Sequence, residues 1–194
     1  MTQHQAKSTK NDDRRSPSTV SHLRALMPTR QIRVFEARRV AELQAYRLRI
    51  LLGDESPGFD MDRLTALPRI DVSLTDDLNA SGSTHWQAGA WRIQLNQSEA
   101  LVRQRFTLAH EFKHVLDAPQ LDTAYRTISE QFDGEAQIEQ ICDYFAACLL
   151  MPKRWVKRLW GEGIRELEPL ADVFDVSQVA MTRRLEDIGL IERP

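Results

Sequence analysis

The stretch His110-Glu111-Phe112-Lys113-His114, set in a helical segment, restricts this chain more than any other feature. Residues i and i+4 of a helix share one face about one turn apart, so two imidazoles there can converge on one ion. Glu111 is turned roughly 100° from His110, which lets it reach a water beside the ion without ligating it. Leu108, Phe112 and Val115 make an apolar stripe on the opposite face, able to seat the helix on a core and hold the histidines still. Two of the five histidines in the 194-residue chain stand in this motif. The expectation is a site for one Zn2+ per chain, with His110 and His114 as ligands and Glu111 as general base.

Such a site needs a third protein ligand and an open position. Glu139-Gln140-Ile141-Cys142-Asp143 places a carboxylate at i and another at i+4 of a second helix. Glu139 can ligate, and Asp143 can accept a hydrogen bond from the far nitrogen of a ligating histidine. The neighbours Ile138, Ile141, Phe145, Ala146, Ala147, Leu149 and Leu150 are apolar, so this helix should be mostly buried, and buried carboxylates need partners. Glu130 and Glu135 are rival ligands, although both precede the apolar helix. Cys142 and Cys148 lack metal-ligand spacing and read as core residues. His85 reads as a surface-turn histidine. Tyr125 and Tyr144 are candidates for steadying an oxyanion.

Around these motifs the chain reads as α+β. A helix is expected over Thr29–Leu52, with Ile32, Phe35, Leu43, Tyr46 and Ile50 on one face and Ala37, Ala41, Ala45, Leu48 and Leu52 on the other, a pattern that suits a sandwiched helix. Strands are expected at Ile70–Leu74, near Trp86, and at Ala90–Leu95 after a turn near Gly89. Helices follow over Arg103–Leu116, capped by Asn96 or Ser98, and over Gln137–Leu150. The organisation expected is a disordered arm over 1–25, a catalytic domain over 26–154 and a helical tail over 155–194.

Charge is divided unevenly. Residues 1–50 hold eleven Lys/Arg and four Asp/Glu, whereas the whole chain is slightly acidic. A basic arm can seek nucleic acid, but no aromatic residue interrupts it before Phe35, which favours an arm that is solvated or docked on the acidic body. No apolar run suits a bilayer, and the N-terminus has no secretory apolar core. The two cysteines, six apart in one helix, are poorly placed for a disulfide. A cytoplasmic location is expected.

Together the motifs resemble the ImmA/IrrE metallopeptidases. The matching stretches are ARRVAELQAYRLRILLG (37–53), RFTLAHEFKH (105–114), EQICDYFAACLLMP (139–152) and LADVFDVSQVAMTRRLEDIGL (170–190), in the family's order and within roughly residues 26–191. The resemblance implies a zincin-like fold with a small antiparallel or mixed sheet packed on helices. It implies ligation by His110, His114 and Glu139, catalysis by Glu111, and Asp143 where members carry Asn or Asp. It also implies an intracellular role in cleaving helix-turn-helix repressors of mobile elements or stress responses. Lys113 departs from the Gly found in many members; its side chain should point off the metal face and alter the cleft edge. Some members have an N-terminal DNA-binding domain, for which the roughly 25 residues before the first helix here are too few.

Three functions are then in view. The first is a zinc endopeptidase acting on a protein partner, a DNA-binding repressor. The second is a DNA-binding regulator with a structural metal, since Leu170–Leu185 has helix-turn-helix proportions and carries Arg183 and Arg184. The many acidic residues of that tail argue against tight DNA binding and for a packing or docking role. The third is an interaction module of a toxin–antitoxin or immunity pair that keeps the fold without the reaction.

Overall fold

A computed structural model describes residues 18–192. In chain order the elements are α1 (Thr19–Arg24), α2 (Val34–Leu51), α3 (Asp62–Thr65), β1 (Ile70–Thr75), β2 (Gly82–Gln87), β3 (Ala90–Asn96), α4 (Leu101–Asp117), α5 (Arg126–Ser129), α6 (Gly134–Leu150), α7 (Lys153–Gly161), α8 (Leu167–Val173) and α9 (Gln178–Asp187). The architecture is α+β, with a small mixed sheet beside packed helices.

The sheet order is β1-β3-β2. β1 runs parallel to β3, with Ile70 opposite Trp91, and β2 runs antiparallel to β3, with Gly82 opposite Leu95. A two-residue turn, Ala88-Gly89, joins β2 to β3; both residues have positive φ, as a hairpin turn of this length favours. β2 therefore lies on the edge of the sheet and against α4. Ile70, Ile93 and Leu95 are buried, as a half-covered sheet requires.

α4 and α6 pack side by side, and their apolar faces meet through Phe112 and Phe145, whose ring centroids are 6.3 Å apart. α2 packs on the other flank of α6. Its small residues Ala37, Ala41 and Ala45 are fully buried with Leu48, which lets the two backbones approach closely. The expected sandwich is not present. Phe35, Leu43, Tyr46 and Ile50 are exposed, whereas Ile32, which precedes α2, is buried and its N–H donates to the Ala124 carbonyl at 3.0 Å.

The disordered arm expected over 1–25 also needs correction. Residues 1–17 lie outside the described residues, but Thr19–Arg24 is helical, with the Ser18 side chain capping its first turn. Leu23 is fully buried, its carbonyl accepts from Gln44 Nε2 at 3.0 Å, and Arg24 donates to the Val115 carbonyl at 2.7 Å. One apolar side chain with two backbone hydrogen bonds docks this segment on the core. α4 begins at Leu101 rather than under an Asn96 or Ser98 cap; Asn96 instead folds its side chain onto the Ser98 N–H at 3.0 Å.

The C-terminal helices feed the same core: Val156, Leu170, Phe174, Met181 and Leu185 are buried within it. Arg184 is buried too, and its Nε donates to the Met151 carbonyl at 2.9 Å. Among the described residues no helix is long and apolar enough to cross a membrane.

Candidate metal centre

α4 and α6 bring the sequence-predicted residues together. The Nε2 atoms of His110 and His114 are 3.1 Å apart. Glu139 on α6 reaches across, Oε2 to His110 Nε2 at 3.1 Å and Oε1 to His114 Nε2 at 3.3 Å. On the far side of its ring, His110 Nδ1 lies 2.8 Å from Asp143 Oδ1. That contact places the proton on Nδ1 and leaves an Nε2 lone pair aimed at the Glu139 carboxylate and the second histidine. Two imidazole nitrogens and a carboxylate facing one another at this range can share a proton or a metal ion. The chemistry of the set suits a metal: tetrahedral zinc with bonds of about 2.0–2.1 Å would put ligand atoms roughly 3.3 Å apart.

The two carboxylates are less buried than expected. Glu139 and Asp143 are half-exposed at the mouth of a cleft of about 290 Å3, while the apolar face of α6 turns to the core. Burial pushes the His110 pKa down, but the neighbouring Asp143, Glu139 and Glu111 carboxylates outweigh it and hold the imidazole above its ordinary value.

Glu111 faces the same cleft and is almost wholly buried. The Thr84 hydroxyl, on the edge strand β2, donates to Glu111 Oε2 at 2.6 Å. Gly82, two residues earlier, makes room: a Cβ there would stand 2.5 Å from Thr107 Cγ2 and 3.1 Å from the Glu111 side chain. Neither residue carried a sequence signal, because the sheet and α4 meet only in the folded chain.

Cys142, read from the sequence as a core residue without metal-ligand spacing, also stands beside the histidines. Its sulfur lies 3.8 Å from His114 Nδ1, and the ligating atoms of His110, His114 and Cys142 fall within 4.8 Å of one another. Its place between Glu139 and Asp143 on one helical face was the available signal. Two ligand sets are therefore present, sharing both histidines. The Glu139 set fits one ion better, since its oxygens meet Nε2 of both rings. The two nitrogens of an imidazole point in different directions, so an ion at His114 Nε2 lies away from a sulfur beside Nδ1. Burial, the first of its causes, pushes the Cys142 thiol well above its ordinary pKa.

Other expectations are corrected. Tyr125 is buried, with its hydroxyl 3.4 Å from Lys113 Nζ, and burial pushes its pKa far up. Tyr144 stacks under the Arg38 guanidinium at 4.2 Å, and burial pushes its pKa up to about 12. Neither tyrosine lines the cleft that holds Glu111 and His110, so neither is placed to steady an oxyanion. Lys113 is not at a cleft edge. It is wholly buried, donating to Asp117 at 2.6 Å and to Gln44 at 2.8 Å. Of the rival ligands, Glu130 pairs with Arg126 at 2.8 Å, and Glu135 stands in the first turn of α6, one turn before Glu139. His85 is exposed on β2.

The sequence profile of the IrrE N-terminal-like domain, a peptidase family, matches residues 69–186. The chain belongs to that family. It is 37% identical over 91 residues to the radiation response metalloprotease IrrE of Deinococcus deserti, covering 44% of this chain and 32% of that protein. To the radiation response metalloprotease IrrE of Deinococcus radiodurans it is 31% identical over 133 residues, covering 62% of this chain and 38% of the relative. A Mycobacterium tuberculosis transcriptional regulator of known structure superposes with a TM-score of 0.63 at 16% identity, over 92% of this chain and 53% of that one, a likeness of fold. The chain thus spans about a third of the length of the two metalloproteases it matches and about half of the solved chain. Membership in this family places a metal among the expectations for the site, and the His110–His114–Glu139 triangle is where the donors converge.

Proposed function

We propose that this chain is a zinc-dependent endopeptidase with a zincin-like fold. One observation carries the reading: the Nε2 atoms of His110 and His114 are 3.1 Å apart, and the two carboxylate oxygens of Glu139 lie 3.1 and 3.3 Å from them, at a cleft that also holds Glu111. When bound, zinc supplies Lewis-acid polarisation of a carbonyl and makes water acidic near neutral pH.

The protein's own groups supply the rest. Glu111 accepts the proton of the attacking water and returns it to the leaving amine. Thr84 fixes the carboxylate with one hydrogen bond to Oε2, leaving the other oxygen for water. Asp143 holds the His110 ring so that Nε2 stays turned to the metal. β2 is an edge strand next to the cleft, so an extended substrate backbone can pair with it and bring a peptide bond alongside Glu111.

The substrate class follows from the resemblance: an intracellular helix-turn-helix repressor. The α8–α9 pair has the proportions of a helix-turn-helix, yet Arg184 is buried and bonded to the Met151 carbonyl, which withdraws it from any DNA surface. That favours packing over DNA readout for the tail.

The test is Glu111→Gln, which keeps size and hydrogen bonding but cannot take the proton. Expressed beside the repressor encoded nearest the gene, the wild type should shorten that repressor on a gel, and the variant, zinc-loaded and folded, should not. Undiminished cleavage by the variant would remove Glu111 from the mechanism. A biological effect without cleavage in either form would instead favour an interaction module.

A further inference from the structure

A second cavity, of about 410 Å3, opens beside the metal-site cleft and shares Arg103, Phe106 and Asp143 with it. Its walls come from α4, α6 and α9. Val102, Phe106, Ala147 and Val179 give it an apolar interior, and Val179 is 63% exposed, a bare apolar side chain on α9. Arg38, Arg103 and Arg183 stand around it, against only two carboxylates, Asp143 and Asp187. Asp143 is engaged by His110, and Asp187 lies 3.4 Å from Arg38. Arg103 lies 3.8 Å from Glu99, and Arg184, which also lines the cavity, is buried, which leaves Arg183, exposed on α9, to supply the positive charge.

An apolar pocket joined to the reacting site, with an exposed arginine on its wall, selects a particular kind of peptide. We propose that this cavity is the specificity pocket of the endopeptidase, taking a large apolar side chain next to the cleaved bond from substrates that carry an acidic residue beside it. The inference rests on the peptidase reading above and adds the substrate class. It also accounts for the C-terminal helix, because α9 closes the pocket and supplies Val179 and Arg183, so the tail reads substrate.

The apolar wall contributes through removal of substrate surface from water, and a change of one methylene in such a pocket alters kcat/KM by roughly 10–200-fold. Arg183 contributes through charge in an exposed setting, where reversing its sign should alter selection by roughly fivefold.

The experiment uses the zinc-loaded full chain with a mixed-sequence peptide library, reading the residues around each cut. Val179→Trp and Arg183→Glu alter exposed positions, and zinc content with circular dichroism checks that both variants are folded. The wild type should cut beside large apolar residues with an acidic neighbour. Val179→Trp, which fills the mouth, should move the preference to small side chains. Arg183→Glu should move the neighbour preference from acidic to basic, roughly fivefold. Cleavage whose profile is the same in all three proteins would overturn the pocket while leaving the peptidase reading intact. Failure of the wild type to cut any peptide would overturn the peptidase reading and this inference with it.

Discussion

The hydroxyl of Thr84 donates to Glu111 Oε2 across 2.6 Å, tying the proton acceptor on α4 to the edge strand of the sheet. The bond fixes one carboxylate oxygen and aims the other into the cleft. Thr84→Val keeps the β-branched shape that suits a strand but removes the donor. A hydrogen bond to a charged group is worth about 1.5–3 kcal/mol, so kcat/KM should fall roughly ten- to a hundredfold with zinc content unchanged. Equal kcat/KM in the variant would mean that Thr84 only fills space.

Lys113 and Asp117 form an ion pair in the core, with both side chains almost fully buried. Removing one partner strands the other charge. Lys113→Met should therefore destabilise the fold by about 3–5 kcal/mol, whereas Lys113→Met with Asp117→Leu should recover most of that loss. Urea unfolding measures both. A double variant no more stable than the single one would contradict the pairing.

The pH dependence has two opposed parts. The carboxylates around His110 raise its folded pKa above the ordinary value near 6.5. In the metal-free protein this contributes stability that is fully present below about 6.5 and is lost as pH rises through the raised pKa. Zinc requires the unprotonated imidazole, so its stabilising effect has the opposite sign. The rise in Tm on adding zinc should be large at pH 8 and should shrink steadily as pH falls through the raised pKa toward 6. A rise that is independent of pH, or larger in acid, would exclude His110 as a ligand.

How much of the fold and site is legible in the sequence depends on how local each relationship is. His110, His114, Glu139 and Asp143 are readable because helical spacing alone puts each pair on one face. The edge position of β2 and the Thr84–Glu111 bond are not, since residues 27 apart in sequence meet only through tertiary packing. The apolar residues around α2 suggest two covered faces, but only the alanine face finds a neighbour; periodicity says what can be buried and not whether anything arrives to bury it. Lys113 is expected off the metal face, which it is, but at the surface, which it is not. Its partners Gln44 and Tyr125 lie in other elements, and only Asp117, at i+4, can be anticipated. The tyrosines are suggested by residue type alone, and burial takes Tyr125 out of reach of the cleft.

The triangle of His110, His114 and Glu139 is the centre of the proposed chemistry, and the most direct measurement is the zinc content of purified wild type, Glu139→Ala and Cys142→Ala, by elemental analysis after dialysis. Losing one of three ligands leaves a site that cannot be closed, while losing a sulfur beside the far nitrogen of His114 leaves the triangle intact. The prediction is close to one zinc per chain in the wild type and in Cys142→Ala, and almost none in Glu139→Ala. Zinc retained by Glu139→Ala and lost from Cys142→Ala, or absent from the wild type, would contradict it.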